Sequence, residues 1–374
     1  MVINDFVNNL KIFTEDLTYL KNTEIIFTKS RAKATDGVTT IKGNEFIYEK
    51  NLNLLNAKGN VIINDIQKDY TIKTNDITYD RNKEKINTKG NTIATIQSKY
   101  EFKSSNVLLL KNEMELISNN KSIIKDDNDT VYQAGNFKYL INKEILKGEN
   151  ILVVTNYLKP KSDKLYFTSG IFNFLNKKFV TKDTKILLHK SLFDKERLKT
   201  KNLSEEDEKK LKKFNEQNDP RIIGVSSSGD QNQTVIKKGI FTSCKKNEKC
   251  TPWHIKAEKI THDKIKKNVY YKNAVLNVFN LPVFYFPSFF HPDPSVDRRS
   301  GLLQPKFNKS NIVGSSITQP YFHVISDNKD YTFKPTIFDD RIYMFQNEYR
   351  QNNKNSSFVA DIGYTKGYKS SLSN

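Results

Sequence analysis

The sequence predicts an all-β protein, an elongated β-jelly roll followed by the start of an antiparallel transmembrane β-barrel that is incomplete within these residues. Three observations predict it. None of the ten prolines occurs before Pro160 and eight lie between Pro252 and Pro335. Proline is excluded from the interior of paired strands, so the upstream region suits a long, continuously paired sheet. That region also repeats itself every 31 residues, and after Asp330 the chain falls into segments that are aromatic on one face and polar on the other.

The repeat runs from Asn44-Glu45-Phe46-Ile47-Tyr48 to Ala57-Lys58-Gly59-Asn60-Val61, and again from Asn75-Asp76-Ile77-Thr78-Tyr79 to Thr88-Lys89-Gly90-Asn91-Thr92. Tyr48 to Tyr79 and Gly59 to Gly90 are both 31 positions apart. Weaker copies stand at Asp16-Leu17-Thr18-Tyr19 and at Asn136-Phe137-Lys138-Tyr139. Side chains alternate along a strand, so Phe46 shares a face with Tyr48, and Ile77 with Tyr79. Polar turns are expected between short strands, with the Gly-Asn pairs supplying positive φ. Units that cannot each bury an apolar face must stack, which gives the jelly roll over residues 1–280. Phe46, Tyr48, Ile77 and Tyr79 then either line a groove between the sheets or fill a closed core.

Two segments interrupt this plan. Residues of about 191–220 carry dense charge of both signs, and Ser204-Glu205-Glu206-Asp207 resembles a helix start, so a surface insertion with a short solvated helix is expected. Residues 281–297 hold Pro282, Pro287, Pro292 and Pro294 and are expected as a linker.

Residues 298–374 supply the barrel strands. Tyr331, Phe333 and Ile337 oppose Thr332, Lys334 and Thr336. Tyr343, Phe345 and Tyr349 oppose Met344, Gln346, Glu348 and Arg350, while Phe358, Ala360, Ile362 and Tyr364 oppose Val359, Asp361, Gly363 and Thr365. Segments of about ten residues with this pattern mark outer-membrane barrel strands, although a half-buried soluble sheet alternates in the same way. The 77 residues from Arg298 suffice for five such strands, fewer than the roughly eight of the smallest single-chain barrels. The barrel is therefore expected to be truncated here. The first twenty residues contain Asp5, Glu15 and Asp16 and no apolar core, so no signal peptide is expected within them.

Composition removes other classes. The longest apolar run, Leu281 to Phe290, is broken by Pro282 and Pro287, too short for a membrane helix of roughly 20 residues. The 24 Phe and 18 Tyr supply ample core and argue against disorder. Two cysteines exclude a disulfide-dense scaffold. The net charge of +19 invites a polyanion partner, but it comes from Lys far more than Arg, whereas phosphate and base recognition favour the planar, bidentate Arg. No nucleic-acid partner is expected. There is no Ser-His-Asp arrangement, phosphate-cradling glycine loop or recognisable carboxylate pair, so neither an enzyme nor a cofactor or metal is expected.

The most specific stretch lies between Phe241 and Tyr321. It holds Phe241-Thr242-Ser243-Cys244, Thr251-Pro252-Trp253-His254, Leu281-Pro282-Val283-Phe284-Tyr285-Phe286-Pro287, Asp297-Arg298-Arg299-Ser300-Gly301-Leu302-Leu303-Gln304-Pro305 and Gln319-Pro320-Tyr321. It closely resembles the LptD family of lipopolysaccharide-assembly outer-membrane proteins. The upstream repeats look like that family's N-terminal jelly roll, shared with the periplasmic bridge protein LptA (OstA-like).

The resemblance implies lipopolysaccharide transport. The jelly roll would sit in the periplasm and take acyl chains from the bridge protein. The barrel would deliver the molecule to the outer leaflet of the outer membrane through a lateral gate, with a plug lipoprotein (LptE-like) inside it. On the family pattern Pro305 and Pro320 match prolines of the first two barrel strands. A strand proline removes a ladder donor, which suits a seam that opens; the alternative is a bulge or a barrel rim. Cys244 matches a family cysteine whose distant partners are absent, and a local Cys244–Cys250 disulfide is sterically feasible. Arg298 and Arg299 sit at the junction of the two parts, either as anchors or as holders of a lipid phosphate. The alternative functions are a soluble bridge protein of the LptA type and a Lys-rich nucleic-acid-binding β-protein.

Overall fold

A computed structural model describes residues 1–155, 157, 162–188, 220–244, 252–293, 296, 298–303, 305–310, 314–338 and 342–367. The expected insertion at about 191–220 lies almost wholly outside the described residues. The chain is all-β and antiparallel and divides into two compact units, Met1–Ser295 and Val296–Asn374. Among the described residues the one helical element is a 3-10 turn at Ile141–Lys143, closed by Glu144 at φ 50°. No helix among them is long and apolar enough to cross a membrane.

The first unit is a jelly roll whose long strands each belong to two walls. The strand Leu54–Asp65 shows how. Its first half pairs with Glu45–Glu49 and its second half with Thr39–Gly43, while the whole strand pairs with Tyr70–Asp80. Between the halves the register shifts at Lys58/Val61, where Gly59 and Asn60 both take positive φ. The Gly-Asn pair is therefore a crease inside one strand, where a turn between two strands was expected. Gly90, at φ 83°, marks the equivalent point one repeat later, between the strands Lys85–Lys89 and Asn91–Ile96.

The same device recurs to the far end of the roll. Asn150, Asp183, Lys238 and Asn273 all take positive φ in the middle of long strands. At each of these four the inward set changes parity. Val269 and Tyr271 face the core before Asn273, and Ala274 after it; Ile236 precedes Lys238, and Phe241 follows Gly239. A residue in the left-handed region turns the strand, and the pairing resumes on its far side, which lets one strand serve both walls. Hydroxyls fill the creases: Thr88, Thr92 and Thr74 form one chain of hydrogen bonds, and Thr181 and Thr184 share Ser227.

One continuous apolar core runs inside the roll from Leu10 to Ala274. The 31-residue repeat becomes visible as a register: Leu55 lies opposite Tyr48 on one side and Tyr79 on the other. All three are buried to 1% exposure or less. Burying each such side chain contributes about 1.5–3 kcal/mol.

Residues 281–297 were expected as a linker. Instead Leu281–Pro292 is the last strand of the first sheet, paired along its length with Asn268–Val278. Proline is tolerated because this is an edge strand, paired on one side only among the described residues. The ladder shifts register at Leu276/Asn277, opposite Pro282 and Val283.

The second unit is a curled sheet of seven hydrogen-bonded strands among the described residues. Five were expected, and both numbers hold: Gly301–Leu302 with Lys306–Ser310, and Gly314–Thr318 with Tyr321–Ser326, are two strands each interrupted once. Pro305 and Pro320 stand at the interruptions. The remaining strands, Lys329–Phe338, Tyr343–Asn352 and Ser357–Lys366, are the three alternating segments of the sequence.

Candidate functional site

Three features could handle an apolar, chain-like ligand, and each follows from local sequence. The first is a cavity in the jelly roll of about 350 Å³, within the range usual for small-molecule sites. Its apolar wall comes from the aromatic-rich segment 165–179. Phe172 and Phe179 face each other across a hairpin with ring centroids 6.1 Å apart, Phe167 lies 6.0 Å from Phe172, and Tyr132 meets Phe172 and Phe174 at 5.4 and 5.2 Å. The mouth is polar and carries both signs: Asp126 and Asp230 with Lys177, Lys178 and Lys264. Burial pushes the Asp126 carboxyl above its ordinary range. Such a wall and rim can hold a hydrocarbon chain with a polar head at the entrance.

The second feature is an aromatic ladder on the last two strands. Tyr271 stacks on Phe289 at 4.5 Å and 6°, Phe289 meets Phe286 at 4.9 Å, and Phe286 meets Phe284 at 4.6 Å. Phe286 and Phe289 are three positions apart and would face opposite ways on a regular strand. The crease at Asn273, opposite them, brings both against the core. Exposure rises along the ladder from Tyr271 at 1% to Phe284 at 57%, so the apolar interior continues to the surface. At its buried end Tyr271 Oη lies 2.7 Å from His291 Nε2, whose Nδ1 lies 2.6 Å from the Pro292 carbonyl oxygen. Burial holds the His291 imidazole below its ordinary pKa. His262 and Asp293 form a buried hydrogen-bonded pair nearby.

The third feature belongs to the second unit. Phe345 lies opposite Pro335 and Tyr364, and its ring stacks with Phe333 at 6.1 Å and 2° and with Tyr364 at 6.5 Å and 14°. This aromatic face is open, with Ile337, Tyr364 and Ile362 at 51, 61 and 67% exposure. The other face is polar and cross-linked: Lys334 pairs with Glu348, Gln346 with Asp361 at 2.7 Å, and Arg350 with Asp330 at 2.7 Å. An outward apolar face with a polar, bonded inner face is the two-sided plan of a membrane barrel wall.

The prolines break this sheet at one level. The ladder runs Gly301↔Phe322 and Leu302↔Tyr321, then resumes as Lys306↔Thr318, one residue out of step. Pro305 lies in that gap and Pro320 opposite it. The ladder is thus interrupted, with a step in register, at the level of both prolines.

Other residues singled out in the sequence fall elsewhere. Phe46, Tyr48, Ile77 and Tyr79 are 1, 0, 3 and 1% exposed and fill closed core, away from the cavity and the ladder. Cys244 is buried, its Sγ 3.4 Å from the Trp253 carbonyl oxygen, while Cys250 lies outside the described residues. Arg298 is bound within the second unit, to Asp330 and to the Asp327 carbonyl, with its guanidinium 5.9 Å from the Phe322 ring. Arg299 is likewise engaged in an interaction. The cavity aromatics were not singled out in the sequence. The signal was the density of Phe between positions 167 and 179, which reads equally well as ordinary core.

Fold and site together define a two-part β-protein: a jelly roll with an apolar interior that reaches the surface, followed by a two-faced curled sheet. In sequence, part of the chain is similar to proteins called LPS-assembly protein LptD. That of Actinobacillus pleuropneumoniae serotype 5b is 32% identical over 129 residues, 34% of this chain and 16% of that protein. That of Cupriavidus pinatubonensis is 31% identical over 121 residues, 32% and 15% of the two chains. That of Legionella pneumophila (strain Paris) is 32% identical over 115 residues, 31% and 13%. The matched stretch thus spans about a sixth or less of these relatives. No protein-family model matches the chain.

Proposed function

We propose that this chain works in lipopolysaccharide assembly at the outer membrane, carrying the acyl chains through the jelly roll and releasing them through a barrel of which the second unit is the beginning. The observation that carries this reading is the aromatic ladder from Tyr271 to Phe284, which extends a closed apolar core to the surface on the strand immediately before the second unit. A storage core has no use for a graded exit, whereas a conduit for hydrocarbon does. The names of the relatives and the open aromatic face of the second sheet support the same reading. The jelly roll belongs in the periplasm on this view.

The partners follow from the same logic. The strands Val2–Asp5 and Thr18–Leu20 each pair on one side only among the described residues. Such edges accept a further strand, which suits a periplasmic bridge protein of the LptA type. The polar inner face of the second sheet suits a plug lipoprotein of the LptE type, and its outer face the membrane lipid. The protein acts as a carrier and not as an enzyme, and no nucleic-acid partner is involved.

A photo-crosslinking residue at position 286 of the native protein tests the proposal. Covalent capture of lipopolysaccharide in growing cells, absent from a control at exposed Lys256, is the expected result. Equal capture at both positions, or none at 286, overturns it.

A further inference from the structure

The proline level of the second sheet contains a replacement donor. Leu303 N–H donates to the Pro320 carbonyl oxygen at 2.8 Å, but Pro320 has no N–H to return to Leu303. In an antiparallel pair that exchange is reciprocal, so the Leu303 carbonyl would lose its partner. It does not, because the Gln319 side chain supplies one: its Nε2 lies 2.7 Å from Leu303 O. The same residue reaches the opposite way along the backbone, where Gln319 N–H donates to the Pro335 carbonyl oxygen at 3.2 Å. Pro335 likewise returns no N–H. Gln319 thus joins three strands at the level where each carries a proline: 305, 320 and 335.

We infer that Gln319 is a positioning residue that closes this seam, its carboxamide replacing the backbone donor that Pro320 lacks. A backbone ladder bond opens only with its strand. A side-chain bond opens by rotation about χ angles, in the picosecond-to-nanosecond range for exposed residues. At the proline level, one of the two bonds between Leu303 and its neighbouring strand is therefore a side-chain bond, which releases without moving the strand first. This rests on the proposed transport reading for its purpose but not for its physics.

The test separates the two. In the native protein in its membrane, amide hydrogen exchange of the segment Gly301–Ser310 reads seam opening, and lipopolysaccharide delivery reads transport. Gln319→Met keeps the size of the side chain and removes the donor; exchange in the segment is expected to rise about five-fold. Pro320→Ala restores the backbone N–H, and in that background Gln319→Met is expected to change exchange by less than about two-fold. Unaltered exchange in Tyr343–Asn352 reports that the sheet has folded. If Gln319→Met leaves exchange unchanged, or raises it equally in both backgrounds, Gln319 merely fills space and the inference is overturned. If exchange follows the expected pattern while delivery stays normal, the closing role stands and the seam has no part in transport; if the unsubstituted protein delivers no lipopolysaccharide, the transport reading fails whatever the exchange shows.

Discussion

Gly59 lies against Asn44 at the first crease of the jelly roll. A Cβ at Gly59 would stand 2.8 Å from Asn44 Nδ2, and its φ of +74° belongs to the left-handed region. The Asn44 backbone N–H bonds back to the carbonyl oxygens of Lys58 and Gly59 at 2.9 and 3.0 Å, so the neighbour is fixed in place. Gly90, its repeat equivalent, has a similar φ of +83° but nothing within 4 Å of a Cβ. Gly90→Ala should cost only the left-handed term, about 1–2 kcal/mol, and Gly59→Ala measurably more. Urea midpoints of the two variants check the order; equal losses would show that the contact with Asn44 relaxes freely.

Two tyrosines at equivalent positions of the repeat should respond oppositely to loss of the hydroxyl. Tyr79 Oη donates to Glu84 at 2.8 Å and accepts from Lys111 at 2.9 Å, while Lys111 and Glu84 form an ion pair at 2.7 Å. Tyr139 Oη is buried without a hydrogen-bond partner among the described residues. Tyr79→Phe should destabilise by about 1–2 kcal/mol, and Tyr139→Phe should be neutral or stabilising. Thermal unfolding of both variants decides it.

Acidification should weaken the end of the roll that carries the aromatic ladder. Burial lowers the His291 pKa in the folded chain, against partial opposition from the Pro292 carbonyl and Asp293 and with the His262 charge acting in the same sense as burial. The unfolded chain therefore binds the proton first. The contribution is complete above the ordinary histidine pKa of about 6.5 and is lost as pH falls below it. Exchange of the Asn268–Pro292 amides should accelerate between pH 7 and 5. In His291→Phe this pH dependence should flatten, because the group that titrates is gone.

The two faces of the second sheet should tolerate charge unequally. Lysine at Ile362 or Phe345 places a charge on the open aromatic face and should reduce the amount of folded protein recovered from the outer membrane. The same change at Gln346, on the polar face, should be tolerated. For a lipid-facing site the penalty is about 2–4 kcal/mol near the bilayer midplane. Comparable recovery of all three variants would mean that the aromatic face does not meet lipid.

Much of this architecture was legible in the residues, and the exceptions have a common physical cause. The alternation in Lys329–Phe338, Tyr343–Asn352 and Ser357–Lys366 runs unbroken, so period-two reading placed each face correctly. In the later part of the jelly roll the period changes phase at creases such as Lys238 and Asn273. Gly59-Asn60 read as a turn, because a bent strand and two strands joined by a turn demand the same left-handed residues. Leu281–Pro292 was taken for a linker since its prolines are compatible with an edge strand but do not announce one. The repeat residues for which groove and closed core stood as alternatives, Tyr48 and Tyr79 among them, are where the pattern is most regular, and regular packing closes space that a ligand would need. The replacement of a backbone donor by the Gln319 carboxamide had no signature in the sequence, since it depends on which way the Leu303 carbonyl points.

The creases have one more consequence. Because alternate long strands, from Leu54–Asp65 to Asn268–Val278, are each folded over at a left-handed residue, the two walls are not separate plates that can slide past one another; these strands tie them together. Widening the interior then means flexing many rungs by a little, and the stiffness of the whole is shared among residues such as Asn60, Asn150, Asp183, Lys238 and Asn273. Another rung can be inserted without altering the cross-section, so the distance spanned is set by how many repeats the chain contains. The 31-residue period is, in that sense, a unit of length.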